Sequence, residues 1–230
     1  MNFLVLLLTA LFFNDIPEAK IETDSIRPLL NQSYTYLGEG HQMTAYASED
    51  GHYVLKLFKA TPRHHFKWRR LWRTPAQKRM EQIKWKQSFA DTCRRYKLAF
   101  IHLKEETGLV FLHFEKSQTP LPLTLKHKKT QTIDLSTLPF VIQKRAILAP
   151  DYFRQNPHLK EDGKEALKAF FTKRLSKGFS DPRQTLSKNY GFIGHTPIQI
   201  DPGKIEPFDQ DPQRELEKIH AHVEEWVLRF

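Results

Sequence analysis

Short runs of apolar and β-branched residues, separated by turn residues, mark the chain from Tyr34 to Phe58. The run at Tyr34 to Leu37, "TAYAS" and "HYVLKLF" are separated by Gly38-Glu39-Gly40 and by Asp50-Gly51. An Asp-Gly pair between two such runs is a strong hairpin signal. The pattern predicts a strand, a glycine turn, a strand, an Asp-Gly turn and a third strand. Lys56 interrupts the apolar run of the third strand, and a buried charge there needs a reason.

A helical period follows. Pro75 suits the first turn of a helix, which the pattern extends to about Phe100. Four residues at spacings of four, four and three share one face of this helix: Trp85, Phe89, Cys93 and Tyr96. Glu81 falls one turn before this face, on the same side. The helix is therefore predicted to pack through these residues, with Glu81 directed toward the protein.

The rest of the chain adds two strands and then helices. "GLVFLHFEKS" and "LPFVIQKRAI" read as strands, with a polar, turn-rich segment between them and a loop at Pro150. "KEDGKEALKAFFTKRLSKG" is an amphipathic helix capped by Gly178, "PIQID" is a short strand, and a last helix begins near Pro212. The fold class is therefore α+β. We predict an apolar N-terminal segment at 1–24, a β-rich unit at 25–149 and a helical unit at 150–230.

The formal net charge of +10 comes from one segment. Residues 59–97 hold 13 Lys and Arg against two acids, and the rest of the chain is close to neutral. Such a segment suits an acidic protein, a nucleic acid or an anionic membrane surface, or it is a solvated helix face. Trp68, Trp72 and Trp85 lie among these charges, which suits base stacking, a headgroup interface or packing into the core.

The chain begins with an apolar stretch from Phe3 to Phe13. As a helix it would be about 16 Å long, too short for a bilayer core of about 30 Å. A cleaved secretory signal, an uncleaved anchor and a docked terminal segment all remain open, so the predicted location is secreted or membrane-associated, with the cytoplasm as the alternative. Cys93 is the one cysteine, which excludes an internal disulfide and fits a buried structural residue better than a reactive thiol.

The order of these motifs resembles the protein-kinase-like fold between Tyr34 and Gly203. "GEG", the following hairpin and "YVLKLF" look like the glycine-rich loop and the strand that carries the nucleotide-binding lysine. "SKGFSDPRQTLSKNYGFIGHTPIQIDPG" looks like the catalytic loop, the strand pair after it and the metal-binding turn. The resemblance implies two lobes: a β-rich N-lobe with one long helix, and a reduced helical C-lobe.

The resemblance gives Lys56 a reason to be buried. ATP would lie with its phosphates against the bare backbone of Gly38 and Gly40, and the Lys56 ammonium would pair with phosphate oxygens. A buried ammonium also needs an acidic partner. Glu81 is the predicted partner, and the adjacent pair Glu105-Glu106 is the alternative.

The second motif supplies the implied metal ligands and base. Asp201 and Asn189 would hold Mg²⁺ through oxygen atoms, and Asp181 would act as the general base for the acceptor hydroxyl. Turn chemistry is the alternative for each of these residues, because Asp and Asn also stabilise turns next to Pro and Gly.

The chain departs from the kinase pattern at several positions. Met43 replaces the third glycine, Phe179-Ser180 precedes Asp181 in place of His-Arg, and Pro202 replaces the aromatic residue of the metal-binding turn. After Gly203 only 27 residues follow, too few for an activation segment and a full helical lobe. Three functions stay open: an ATP- and Mg²⁺-dependent phosphotransferase, a catalytically weak pseudokinase-type binding module, and a basic binder of nucleic acid or membrane surface.

Overall fold

The structure, a computed structural model, describes residues 26–59 and 74–230. Helices and strands alternate along these ranges. The helices are α1 (Arg27–Leu30), α2 (Pro75–His102), α3 (Lys104–Thr107), α4 (Ala149–Gln155), α5 (Lys160–Ser176), α6 (Leu186–Asn189) and α7 (Pro212–Val227). The strands are β1 (Tyr34–Glu39), β2 (Met43–Ser48), β3 (Tyr53–Phe58), β4 (Leu109–His113), β5 (Pro122–Lys126), β6 (Thr130–Asp134), β7 (Phe140–Lys144), β8 (Ile147–Leu148), β9 (Phe179–Ser180), β10 (Tyr190–Ile193), β11 (Thr196–Gln199) and β12 (Glu206–Pro207).

Within the described residues the main sheet is a curled, seven-stranded one with the order β4-β7-β3-β2-β1-β5-β6. The β1–β5 pair is parallel and the other pairs are antiparallel. The three strands predicted between Tyr34 and Phe58 are confirmed, and Gly51 takes the left-handed conformation of the Asp-Gly turn. In the centre of the sheet Lys56 pairs with Ala45 on one side and with Val141 on the other.

Two local predictions are wrong. The polar segment before β7 is a hairpin, β5–β6, which extends the sheet beyond β1. The sequence does carry a signal for it, because Leu121, Leu123 and Leu125 recur at every second position and are all buried. The segment at Pro150 is the helix α4, which proline can start because its missing N–H falls in the first turn.

The long helix α2 starts and packs as its sequence predicts. Thr74 and Gln77 form a reciprocal capping box around Pro75. Three of the four residues on the predicted face, Trp85, Cys93 and Tyr96, are buried, and Phe89 packs edge-on against Phe58. The first half of the helix has little other packing, and its remaining side chains there are exposed or half-exposed. For Trp85 the packed alternative is therefore correct, since its ring meets that of His41.

The C-terminal helices form a second apolar core. α5 packs against α7. Both helices contribute to an apolar cluster, with Phe171 from α5 and Val223 and Trp226 from α7. Aromatic residues of α4 and β10 complete it: Tyr152, Phe153 and Phe192. Gly178 ends α5 in the left-handed conformation, as predicted for a cap. α7 buries Ile219, Val223 and Trp226, which confirms the helical period predicted for the last segment.

A third cluster joins the sheet to the C-terminal part. Phe58, Tyr96 and Val141 pack in it with Phe179 and Ile205, which lie far along the chain. The α+β class is confirmed, and the boundaries at residues 24 and 149 stay predictions. The apolar stretch at 3–13, Trp68 and Trp72 lie outside the described residues. In the part that is described, no helix combines the length and the apolar character needed to cross a bilayer.

Candidate functional site

A cavity of about 730 Å³ lies between the main sheet and the C-terminal elements. Its lining is mixed: apolar side chains alternate with polar and charged ones, among them Arg145, Asp151 and Gln155. Residues from both parts line it, among them Leu37, Val54, Lys56, Gln143, Phe192 and Ile200. The segment from Lys144 to Leu148, which connects the sheet to α4, forms one side. Its size and mixed lining are those of a small-molecule or cofactor site.

Lys56 is the basic group at the inner end of this cavity. Its stem is half-buried along the cavity wall, while its ammonium is held by two neutral acceptors. Nζ donates to Oε1 of Gln143 at 2.7 Å and to the backbone carbonyl of Ile200. Burial lowers the pKa of Lys56 to about 8, and the nearby charge of Asp201 only partly opposes this. The ammonium therefore lies where an anionic ligand would relieve the cost of its burial.

Asp201 and Asn189 lie side by side at the open end of the β10–β11 pair. Asn189 directly precedes β10, and its carbonyl accepts hydrogen bonds from the backbone N–H groups of Ile200, at 2.8 Å, and Asp201, at 3.4 Å. The Oδ1 atom of Asp201 accepts from the Gly203 N–H and, more weakly, from the Tyr96 hydroxyl. The sheet register thus brings the backbones of Asn189 and Asp201 together, next to the carbonyl that binds Lys56, and their role as metal ligands stays a prediction.

The glycine turn connects β1 to β2. The Gly40 N–H donates to the Met43 carbonyl at 2.8 Å, and Lys59 binds both the Gly40 carbonyl and the Glu39 carboxylate. A Cβ atom added to Gly38 would meet nothing within 4 Å, and one added to Gly40 would touch only the Met43 carbonyl. Neither glycine has the positive φ that excludes other residues. Gly38 lies at an irregularity in the register between β1 and β2, which is a common place for glycine in a strand. The open space around it would also admit close approach of a ligand to the backbone.

Glu81 and Glu106 are predicted acidic partners of Lys56, and the structure places them differently. Glu81 is half-buried on the second turn of α2 and makes contacts of its own, while the hydrogen bonds of Lys56 go to Gln143 and Ile200. The pairing with Glu81 stays a prediction. Glu106 is engaged elsewhere: it is buried in ion pairs with Lys177, at 2.6 Å, and Lys173, at 3.2 Å.

Asp181 lies in the loop after β9 and is completely buried. Its Oδ1 accepts from the backbone N–H of Arg183 at 2.9 Å, and its Oδ2 accepts from the side-chain amide of Gln199 at 2.8 Å. A general base must come within hydrogen-bond reach of the proton it removes. In this arrangement both carboxylate oxygens serve the protein's own donors, so an acceptor hydroxyl has no open path to them.

Sequence reasoning missed the polar residues that hold these groups. Gln143 and Gln199 are buried glutamines, and Arg174 is a fully buried arginine that donates to Tyr190, Gln199 and Gln184. Arg174 lies within the segment predicted as an amphipathic helix, where its period alone gives no sign of a buried charge. A glutamine inside the apolar run "FVIQK" was the available signal for Gln143, because a strand buried on both faces seldom carries an amide without a partner.

The single thiol and clusters of metal-ligating side chains are the remaining candidates for chemistry. Burial raises the pKa of the Cys93 thiol to about 12, so it stays protonated and unreactive, as predicted for a structural residue. Among the residues that the structure describes, no three or more His, Cys, Asp or Glu side chains cluster as metal ligands. A metal site here would need the amide oxygen of Asn189 and oxygens from the ligand itself.

Comparison with known proteins adds little. No protein-family model matches the chain, and no curated protein matches it. Among solved structures, the crystal structure of WbdD is similar to it with a TM-score of 0.39 and 14% identity, over 83% of this chain and 37% of that one. The chain thus spans little more than a third of the length of WbdD. Similarity at this level is too low to support a function, so the proposals below depend on the site itself.

Proposed function

We propose that this chain is a two-lobed, kinase-like protein that binds ATP in the cavity between the sheet and the C-terminal helices. The observation that carries the proposal is the position of Lys56. Its ammonium is buried at the inner end of a cavity, beside Asp201, and is held by neutral groups that leave its charge unneutralised at short range. A phosphate group is the natural partner for such a buried point charge.

The apolar part of the lining suits the other end of the nucleotide. Leu37 and Val54 from the sheet and Phe192 from β10 also line the cavity, and apolar side chains of this kind suit a planar base. Gly38 and Gly40 follow Leu37 in the chain, and the free space around Gly38 would let phosphate oxygens approach the backbone.

Mg²⁺ would be held by Asp201 and Asn189. Carboxylate and amide oxygens are ligands that Mg²⁺ accepts, and the ion commonly takes few protein ligands and completes its shell with water and phosphate oxygens. The contacts described for the Asp201 side chain use Oδ1. The donor set therefore fits a magnesium ion that bridges protein and phosphates, and bound Mg²⁺ would neutralise phosphate charge.

Burial of Asp181 favours binding over fast phosphoryl transfer. With its two oxygens engaged by Arg183 and Gln199, the predicted base is closed to an acceptor. Loss of general-base assistance lowers rates by about two to four orders of magnitude. Of the two kinase-like alternatives, a slow phosphotransferase and a pseudokinase-type module, the second fits this geometry better.

The exposed half of α2 favours a second role, docking of an acidic partner. Lys78, Arg79, Lys84 and Lys86 are exposed there, and Met80 and Ile83 are exposed between them. Charge on a protruding helix attracts acidic proteins, nucleic acids or anionic membranes. We infer an acidic protein as the partner of a binding module; nucleic acid and membrane are the other outcomes of the test.

The first experiment measures Mg²⁺-ATP binding by isothermal titration calorimetry and by thermal shift. Wild type should bind and be stabilised, while Lys56→Met and Asp201→Asn should lose binding at unchanged circular dichroism. Asp201→Asn keeps the oxygen that accepts from Gly203, so it tests the charge alone. Wild type that shows no ATP binding would disprove the nucleotide site. Autophosphorylation by wild type that is lost in Asp181→Ala would instead favour the phosphotransferase over the pseudokinase-type module.

The second experiment tests the exposed half of α2. Replacing Lys78, Arg79, Lys84 and Lys86 with glutamine should weaken salt-dependent binding to polyglutamate while leaving ATP affinity unchanged. Retention on heparin or on phosphatidylserine vesicles, without polyglutamate binding, would instead favour nucleic acid or membrane. Unchanged behaviour of the quadruple variant toward all three would rule this surface out.

A further inference from the structure

A buried glutamine side chain forms hydrogen bonds to three other parts of the chain, and one of its partners is the Lys56 ammonium. Gln143 lies on β7 and is 1% exposed. Its Oε1 accepts from the Lys56 ammonium at 2.7 Å, and its Nε2 donates to the carbonyl of Gln199, at 3.1 Å, and to the carbonyl of Thr107. One amide thus joins β3, β11 and the end of α3.

The orientation of this amide is determined by its partners. Backbone carbonyls can only accept hydrogen bonds, so the NH₂ group of Gln143 must face Thr107 and Gln199. Its oxygen must then face Lys56, and an ammonium can only donate. The network allows no flipped alternative, and it leaves none of the amide's own donors idle.

The ammonium of Lys56 is positioned by the same contacts. It has three N–H donors, and the described contacts use two of them, one toward Gln143 and one toward the Ile200 carbonyl. The third is available for a ligand in the cavity that Lys56 and Gln143 both line. Both protein acceptors are neutral, so the positive charge stays available to an anion.

We propose that Gln143 is the positioning residue for Lys56: it fixes the ammonium at the inner end of the cavity without neutralising it. This inference rests on the proposed nucleotide site and deepens it. Both acceptors come from strands or strand ends, β7 and the residue after β11, and neither comes from α2. These two contacts hold the lysine where the sheet meets the β10–β11 pair.

The chemistry explains why glutamine stands here. A carboxylate at this position would accept from Lys56, but it would leave the carbonyls of Thr107 and Gln199 without donors and would partly cancel the lysine charge. Leucine would satisfy none of the three groups. An amide is the side chain that supplies one acceptor and two donors on a common plane.

The test compares Gln143→Leu and Gln143→Glu with Gln131→Leu, a matched control on the exposed edge strand β6. The first readout is the ¹⁵Nζ NMR signal of Lys56 in nucleotide-free protein, assigned by its loss in Lys56→Met. Hydrogen-bonded, buried ammonium protons exchange slowly, so wild type should show the signal and Gln143→Leu should lose it to exchange. Gln143→Glu should keep it, because the carboxylate still accepts from Lys56. The control should match wild type.

The second readout is Mg²⁺-ATP affinity by calorimetry. Gln143→Leu should bind at least tenfold more weakly, and Gln143→Glu should fall between it and wild type. A folded Gln143→Leu with wild-type signal and affinity would overturn the inference; should it fail to fold, a Gln143→Glu variant that loses the Lys56 signal would overturn it equally. If wild type binds no ATP, the nucleotide proposal fails, while loss of the signal in Gln143→Leu would still show that Gln143 fixes Lys56.

Discussion

The half-buried Lys56 and the fully buried Asp181 are charged side chains near the junction of the sheet and the C-terminal elements, yet their surroundings differ. Lys56 is bound by two neutral acceptors and borders a cavity. Asp181 is 0% exposed, and both of its oxygens are occupied. The lysine has a neighbouring cavity that could hold a ligand, as proposed, whereas both oxygens of the aspartate serve the fold.

The hydrogen-bond network around Asp181 explains the difference. Gln199 accepts from Arg174 and donates to Asp181, so it joins a buried cation to a buried anion. Most polar atoms of this network are paired, although Nε of Arg174 and Nε2 of Gln184 are buried without a hydrogen-bond partner among the described residues. Removing a further member would leave more buried groups unpaired. A residue's position in a motif is therefore a weaker guide to its role than whether its polar atoms are free to meet a ligand.

The largest expected effect falls on the closed network. Arg174→Leu should lower the free energy of unfolding by about 3 kcal/mol. It removes the buried cation linked to Asp181 through Gln199, and it removes the donor to the side-chain oxygens of Gln199 and Gln184. Urea denaturation measures this. The control, Arg154→Leu, removes an exposed arginine and should cost under about 0.5 kcal/mol. Equal effects of the two variants would contradict the structural role of the network.

Burial of Lys56 should instead lower the free energy of unfolding, by an amount that depends on pH. Its folded-state pKa of about 8 lies below the ordinary value of 10.5, so between these pH values the unfolded chain binds more protons. Stability due to this group therefore rises with pH in that window. Relative to Lys56→Met, wild type should gain about 2 kcal/mol between pH 7 and pH 10. Urea denaturation of both proteins across this range would show it; a constant difference would mean that Lys56 is solvated.

Glu106 offers an intermediate case, a buried carboxylate whose partners reach solvent. Burial raises the pKa of Glu106, but hydrogen bonds from Lys177 and Lys173 outweigh it and the net pKa is lowered. Its stabilisation is present above the unfolded-state pKa and is lost as pH falls through the folded-state value. Glu106→Gln should cost about 1 to 2 kcal/mol at pH 7, with the difference shrinking below pH 4. A difference that persists unchanged at pH 3 would assign the cost to packing instead of charge.

The smallest effect on stability is expected at the glycine turn. Gly38→Val should change the free energy of unfolding by less than about 0.5 kcal/mol, because the added Cβ meets no atom within 4 Å. It should nevertheless weaken Mg²⁺-ATP binding about tenfold, since the side chain fills the space that phosphates would use.

Gly178→Ala is the reverse control for the glycine turn. Gly178 has a φ of 80°, so alanine there should cost about 1 kcal/mol through backbone strain, with ATP affinity unchanged. If Gly38→Val bound ATP as wild type does, the turn would have no part in the site.

Much of the fold could be predicted because its signals are local. The Asp50-Gly51 turn, the start of α2 at Pro75 and the face of α2 from Trp85 to Tyr96 depend on residues within a few positions of each other. The hairpin β5–β6 was missed because Pro, Thr and Lys obscured an alternation of buried leucines that was nonetheless present.

The sequence by itself determined most of the elements, though not the β5–β6 hairpin or α4. It also pointed to a strand pair that ends at Asn189 and Asp201, whose backbones the β10–β11 register brings together. Only the tertiary structure decided which groups hold Lys56 and what Asp181 does. Gln143 lies 87 residues and Ile200 lies 144 residues from Lys56 in the chain. Such contacts depend on how the sheet and the C-terminal elements pack, and hydrogen-bond partners at that separation leave no periodic pattern in the sequence.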